Sequence, residues 1–487
     1  MKKILFMALI VMYSSYSYAQ ELSIFDKNTK EALAFASVHS KDLNLTVLSN
    51  NEGKVDLSTL SSAKHINISY LGYASKHFTY AELKALGFVI GLQKLDMDLN
   101  EVVVSATKWK ESSAKIPTKV VNIDRKELAI QNPQTAADLL GVSGKVFIQK
   151  SQQGGGSPMI RGFATNRLLY SVDGVRMNTA IFRAGNIQNV INLDPLAMQD
   201  VEVLFGPGSV MYGSDAIGGV MQFTTLVPTL SDSDQVLVKG NALARYASAN
   251  TGKTAHFDVN VGWKKFAMLT SMSYSDYDHL RQGSKGPEEY LKPFYVSRID
   301  STDVVVSQED PLLQVPTAYS QINLMQKLKY QANSNLSFDY AFHYSSTSSY
   351  GRYDRHNRMR NDLPRYAVWD YGPQKWMMNQ FAINYNKETK IFDKAIFNVA
   401  HQLFEESRID RSLNKDEQNT QVEKVNAYSL NLDFYKKIKS SHSFSYGVEY
   451  VYNKVKSTGE LEDISTNLVE LGPARYPQSS WQSIGFT

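Results

Sequence analysis

Hydrophobic and polar positions alternate most regularly in the second half of the chain. Leu336, Phe338, Tyr340, Phe342 and Tyr344 alternate with Ser337, Asp339, Ala341 and His343. Tyr428, Leu430, Leu432 and Phe434 alternate with Ser429, Asn431 and Asp433, and the stretches 444–452 and 257–263 repeat the pattern. A period of two puts apolar and aromatic side chains on one face of a strand and polar ones on the other. The pattern predicts nine strands near 235–247, 253–263, 265–277, 319–330, 334–346, 374–387, 391–406, 422–437 and 441–455, with a tenth starting near Trp481. An ordinary globular strand runs about 5–6 residues, so these can cross a bilayer at a tilt. After the first connection, the links run 264, 278–318, 331–333, 347–373, 388–390, 407–421, 438–440 and 456–480, alternately short and long. This sorting puts short turns on one side and long loops on the other, as in an antiparallel transmembrane β-barrel with periplasmic turns and extracellular loops.

Upstream, the pattern is different. Between Leu22 and Leu99, stretches 34–38, 44–48 and 66–70 are alternating or β-branched, and Asn50-Asn51-Glu52-Gly53 is turn chemistry. They predict a small Ig-like β-sandwich without a catalytic constellation, since His39, His65 and His77 stand singly. From Asn100 to Pro228 the chain reads as glycine-punctuated α+β. Residues 135–140 form a short helix with Thr135 at its cap, and Gly154-Gly155-Gly156 reads as a flexible loop. Stretches 168–172 and 201–205 are strands, the first entering a turn at Asp173-Gly174 and the second closed by Gly206-Pro207-Gly208.

The N-terminus sets the compartment. Lys2 and Lys3 precede the apolar run 4–12, and Ser17-Tyr18-Ala19 supplies small residues at a cleavage position. This is a secretory signal peptide over 1–19, with the mature chain beginning at Gln20. Composition narrows the rest. The chain of 487 residues has no cysteine, which excludes a disulfide scaffold, a thiol nucleophile, a cysteine-ligated metal cluster and a lipidated N-terminal cysteine. A net charge of +4 is too balanced for a nucleic-acid-binding surface. A mean hydropathy of -0.32 argues against a helical membrane bundle but not against a barrel, half of whose strand positions face water. His-Glu-x-x-His, Gly-x-Ser-x-Gly and phosphate-loop motifs are absent from the sequence.

A linear set of motifs resembles the TonB-dependent outer-membrane receptors. Pro158 to Phe163, with Arg161 and Gly162, is similar to the family's P-x-I-R-G segment. Tyr170 to Asn178, with Asp173 and Gly174, is similar to its V-D-G-V-R strand and turn. Val201 to Val220 is similar to the end of the family's plug domain, with Gly206, Pro207, Tyr212, Gly213, Gly218 and Gly219 in place. Phe205 stands where the family usually has Arg, and Met221-Gln222 where Ile-Asn is common. Leu99 to Thr107, with Glu101, Val102, Val103, Val104, Ser105 and Ala106, resembles the TonB box, an extended segment that can add to a partner's sheet edge. Asn51 to Lys54 and Ser69 to Tyr73 resemble the carboxypeptidase-regulatory-like sandwich ahead of the plug in Bacteroidetes receptors. The resemblance implies domains at 20–99 (sandwich), 100–107 (TonB box), 108–228 (plug) and 229–487 (barrel).

The resemblance further implies transport rather than catalysis, with no catalytic residue, cofactor or resident metal. The implied partners are TonB with the ExbB/ExbD complex, outer-membrane lipid and lipopolysaccharide. The ligand class it implies is a ferric chelate (siderophore) or haem; a glycan or peptide importer and a non-transporting signalling receptor or adhesin are the alternatives. Leu204-Phe205-Gly206-Pro207 argues against the glycan branch, which usually carries V-L-K-D there. In the third long loop Arg352, Arg355, Arg358 and Arg360 surround His356, a set suited to an anionic chelate, to haem iron or to lipopolysaccharide phosphates; His279 is a second candidate. The family's barrel has about 22 strands, and the residues after Pro228 hold nine and the start of a tenth. The expectation is therefore a receptor truncated within its barrel, which would not insert as a functional pore.

Overall fold

The computed structural model describes residues 21–93, 103–104, 108–109, 111–112, 116, 118–150, 152–164, 167–177, 179–181, 189–438 and 442–487. The signal peptide and Glu101, Val102, Ser105, Ala106 and Asn178 lie outside the described residues. The chain divides into two compact units, 1–101 and 102–487.

The first unit is a sandwich of two small sheets. Glu21–Asp26 lies between Lys54–Asp56, antiparallel, and Val89–Leu92, parallel. The facing sheet runs in the order Leu45–Leu48, Ser37–Ser40, Ile66–Ser69, Lys76–Phe78. Alternate residues point inward: Leu22, Ile24, Val38, Val55, Ile66, Ile68, Ile90 and Leu92 are all buried in one core. Each contributes about 1.5–3 kcal/mol of burial. A helix at Tyr80–Ala85, absent from the sequence expectation, covers one side through Leu83. Thr79 and Glu82 form its capping box, the pairing that signals a helix start.

The second unit begins with an α+β domain. Its five-stranded sheet runs in the order Lys119–Asp124, Met198–Phe205, Gly219–Thr225, Leu168–Val172, Val175–Arg176. Thr135 caps the helix Ala136–Val142 through a capping box with Asp138, at the predicted position. Gly154-Gly155-Gly156 departs from the flexible loop expected of it. All three are buried, and a Cβ on Gly156 would lie 2.7 Å from Ile148 Cγ2, so glycine is there for close packing.

Ten long strands follow in one antiparallel order: Leu237–Ala247, Gly252–Gly262, Phe266–Tyr277, Tyr319–Gln331, Leu336–Thr347, Lys375–Asn386, Lys394–Ser412, Glu417–Ile438, His442–Asp463 and Ser479–Phe486. Their burial is inverted relative to a water-soluble sheet. In Gly252–Gly262, His256, Asp258 and Asn260 are buried while Phe257 and Val259 are exposed. Apolar side chains outside and polar ones inside are the arrangement of a barrel wall in lipid. The α+β domain sits on the polar face, and its core is continuous with Trp376, Met378, Phe404, Val425 and Val455 of the wall. No described helix is long and apolar enough to cross a membrane.

Two predicted loops need correction. The link expected at 407–421 is only 413–416, because its flanking strands run to Ser412 and from Glu417. The link expected at 456–480 is shortened likewise by His442–Asp463, and Leu468–Gly472 folds back onto that strand. The extra length carries Arg408, Asp410 and Arg411 on one strand and Glu417, Gln418, Asn419, Thr420 and Gln421 on the other, so there is no apolar face to reveal it.

Candidate functional site

The site is the contact between the α+β domain and the polar face of the wall, together with the loops above it. The turn at Asp173-Gly174 has positive φ at both residues (48° and 81°), and it projects Asp173 toward the wall. The Asp173 carboxylate accepts hydrogen bonds from the Thr225 N–H (2.9 Å) and hydroxyl (2.7 Å). It also meets Lys327 Nζ at 2.9 Å and His343 Nε2 at 3.4 Å. Burial opposes the carboxylate charge, but Lys327 and His343 outweigh it and hold Asp173 well below the usual carboxylate range. The Asp173 carbonyl accepts from Gln380 (2.9 Å).

Three residues further on, Arg176 bridges Asp215 (3.0 Å) and Glu449 of the wall (2.7 Å), while its carbonyl accepts from Gln402 (2.8 Å). Lys108 pairs with Asp433 at 2.7 Å. On the other flank the Ser273 hydroxyl donates to Asp194 (2.6 Å), and Gln321 donates to the Ile191 carbonyl (2.6 Å). Polar cavities of about 490 and 360 Å³ flank this contact and share Asp173, Gln380 and Asn384 in their linings.

The motif glycines build the domain that makes these contacts. Gly218 is packed so closely that a Cβ would lie 2.3 Å from Phe163 Cβ. Arg161 and Gly162 form the tight turn between Ile160 and Phe163, and the Arg161 guanidinium lies 5.8 Å from the Phe205 ring centre. The Phe205 ring, in the position where the family usually has Arg, is thus covered by a cation. Tyr212 is buried, its hydroxyl donating to Gln222 at 3.2 Å.

At the long-loop end, Tyr277, Tyr319, Tyr350, Trp369 and Tyr371 form a buried aromatic cluster around Ile191 of the α+β domain. Arg352, Arg355 and Arg408 lie over the Trp369 ring at 5.1–5.4 Å. Arg352 is also bidentate to Asp354 (2.6 and 3.1 Å). His356 is buried, its Nε2 accepting from the Trp369 N–H (3.3 Å) and facing Asp370 at 3.2 Å. Arg358 and Arg360 are exposed. His279 accepts from the Thr317 and Ala318 N–H groups (3.1 and 3.2 Å), which braces the loop stems, and burial lowers its pKa. The predicted loop set is therefore split: Arg352, Arg355 and His356 are gathered into the loop's own packing, and His279 stands apart. Lys292, burial of which pulls its pKa down to about 8, donates to the His356 carbonyl (2.9 Å). Among the described residues no three His, Asp or Glu side chains converge as a metal site.

Sequence reasoning missed several participants. Lys327, Gln402 and Glu449 are polar or charged residues on the inner face of wall strands, a signal present in the alternation itself. Gln153 had no such signal. Its amide donates to the carbonyls of Asp278 and Thr317, both at 3.0 Å, and accepts from Asn250 (2.9 Å), tying both stems of loop 278–318 to the α+β domain.

Comparison with known proteins matches residues 112–220 to the TonB-dependent Receptor Plug Domain and 23–104 to the CarboxypepD_reg-like domain. The vitamin B12 transporter BtuB of Vibrio vulnificus (strain CMCP6) is 36% identical over 164 residues, 32% of this chain and 25% of that protein. A hemin receptor of Yersinia pestis is 32% identical over 154 residues, 31% of this chain and 21% of that receptor. The copper transporter OprC superposes with a TM-score of 0.57 at 14% identity, covering 76% of this chain and 50% of that one. The siderophore receptor PiuA from Acinetobacter baumannii gives 0.51 at 14% identity, covering 77% and 54%. The matches thus span about a quarter or less of the curated relatives and about half of the solved structures; at such identity the latter speak to fold alone. Plug motif, preceding domain and inward-polar barrel wall occur in one order: residues 112–220 are similar to the plug domain of TonB-dependent receptors, and the second unit shares the fold of the solved barrels.

Proposed function

We propose that this receptor imports a scarce ligand, a ferric chelate or haem, across the outer membrane of a Gram-negative bacterium. The observation that carries the reading is the plug held against the polar face of the wall by Asp173–Lys327 and Arg176–Glu449. A ligand crossing such a lumen needs the plug to rearrange, and breaking buried ion pairs takes several kcal/mol. The outer membrane offers no nucleotide, so the work comes from TonB, energised with ExbB/ExbD across the periplasm. The TonB box is Glu101, Val102, Val103, Val104, Ser105 and Ala106. The backbone of Val103–Val104 pairs with Glu111–Ser112, an extended geometry that a partner strand can exchange into.

In this reading the domains are 20–99, 100–107, 108–228 and 229–487, with the first two periplasmic. Exposed Arg358 and Arg360 meet lipopolysaccharide phosphates; Arg352, Arg355, His356 and His279 shape the loops around the ligand. No covalent chemistry is assigned to the protein. The named relatives carry vitamin B12 or bind hemin, which supports a scarce metal-bearing ligand. Deleting 101–106 from the gene at its own locus is expected to abolish uptake of ⁵⁵Fe-labelled chelates and haemin while leaving the receptor in the membrane. Unchanged uptake would overturn the reading.

A further inference from the structure

The outward face of the wall carries a charge pattern that the plug contacts do not use. Lys375, Glu405, Lys424 and Lys456 stand opposite one another in a single row across four adjacent strands. Lys454 lies two positions from Lys456 on the same face. Glu405 is shared, its carboxylate 2.9 Å from Lys375 Nζ and 2.9 Å from Lys424 Nζ. Lys454 and Lys456 are exposed, and among the described residues neither is in an ion pair. Four lysines against one glutamate leave an excess of three positive charges, and Lys424 faces Lys456 directly across the strand pair. Like charges placed directly opposite destabilise a sheet, so the row suits an anion that the chain itself does not supply. The next outward carboxylate on that strand, Glu460, is four positions further along.

The row also stands at the level of lipid headgroups. Lys375 is the first residue of its strand after the long loop 347–373, on the side that faces outward in such barrels. Lys375, Lys424 and Lys456 each lie ten positions from Tyr385, Phe434 and Tyr446, which share a row near the short turns. At about 3.3 Å per residue and a tilt of about 40°, that distance is about 25 Å, the height of a barrel's apolar band. Between the two rows the outward faces carry Tyr428, Leu430 and Leu432 on one strand and Val448, Tyr450 and Tyr452 on the next.

We infer that this row seats the phosphates of lipopolysaccharide in the outer leaflet, as a discrete site on the wall. The inference rests on the outer-membrane placement proposed above and adds a wall site to the loop contacts of Arg358 and Arg360. A lysine ammonium is a compact charge with three donors, which suits phosphate oxygens. Lipid A carries a phosphate at each end of its disaccharide, and its acyl chains continue along the apolar face below. A zwitterionic or singly charged phospholipid headgroup brings too little negative charge to match the excess of cations.

The test uses the full chain extracted from the outer membrane of cells carrying the gene at its own locus, with bound lipid exchanged for a zwitterionic detergent. The probes are bisphosphorylated lipid A, its monophosphorylated form and phosphatidylglycerol, and native mass spectrometry reads the lipid retained. The expected result is binding of bisphosphorylated lipid A at least tenfold tighter than phosphatidylglycerol, with the monophosphorylated form between them. Lys454→Gln with Lys456→Gln is expected to weaken bisphosphorylated lipid A at least fivefold. Lys454→Arg with Lys456→Arg, which keeps the charge, is expected to bind it as the wild type does. Equal retention of the three lipids would overturn the site, as would undiminished lipid A binding by the folded glutamine variant. Loss on Arg358→Gln with Arg360→Gln but not on the lysine pair would also overturn it and leave the outer-membrane placement standing. A chain absent from the outer-membrane fraction would overturn that placement and this inference with it.

Discussion

Asp173 keeps its charge within the lumen because Lys327, His343 and Thr225 all answer the same carboxylate. Asp173→Asn leaves Lys327 without its counter-charge, and losing one partner of a buried pair costs about 3–5 kcal/mol. Chemical denaturation of the folded receptor should show a loss in that range. The pH dependence has a definite sign. The native pKa is depressed, so the pair's contribution is complete above the unfolded pKa of about 3.9 and is lost only as pH falls below it. The stability gap between wild type and Asp173→Asn should be level from about pH 8 to pH 5 and narrow below about pH 4. Gln153 acts at the same scale by a neutral route. Gln153→Ala removes both bonds to the stems of loop 278–318, and hydrogen exchange in that loop is expected to speed at least tenfold, the effect of about 1.4 kcal/mol. Unchanged protection would show that the loop is held by other contacts. Neither residue's role is visible in sequence. Asp173 reads as the first residue of a turn within the plug motif, and its charged partners Lys327 and His343 lie more than 150 positions away.

At the scale of elements, the wall was the most legible part, and the reason is physical. Lipid on one side and a polar plug on the other impose opposite demands on successive residues, which writes a period of two into Gly252–Gly262 and Leu336–Thr347. Where the strands Lys394–Ser412 and Glu417–Ile438 continue past that lipid boundary, both faces carry polar groups and the period disappears. The hairpin Phe294–Ile299 with Thr302–Ser307 was missed for another reason. Its turn, Asp300-Ser301, has positive φ at both residues but lacks the glycine that usually marks such turns. The lipid-facing assignment makes its own prediction. Phe257→Arg, at the middle of an outward face, should destabilise the folded receptor in bilayers by about 2–4 kcal/mol. Phe257→Leu should cost under about 1.5 kcal/mol. Equal effects of the two would place Phe257 away from lipid.

At the scale of the second unit, a packed α+β domain occupies the polar face of an antiparallel wall, joined by ion pairs, amide bridges and a shared apolar core. The shared core gives the plug a fixed seat, and the polar cavities beside Asp173 leave room for it to shift. The central claim is that import requires this plug to move against the wall. The chain contains no cysteine, so a single engineered pair can be read without background. Asp194 and Ser273 face each other across the contact with side-chain oxygens 2.6 Å apart, one on the plug and one on the wall. Asp194→Cys with Ser273→Cys places two thiols within reach of a disulfide. The decisive measurement is chelate uptake by this double variant under oxidising conditions and again after reduction. The account predicts at least a tenfold loss of uptake when the pair is oxidised and recovery when it is reduced. Full uptake through a receptor shown to be quantitatively cross-linked would contradict it.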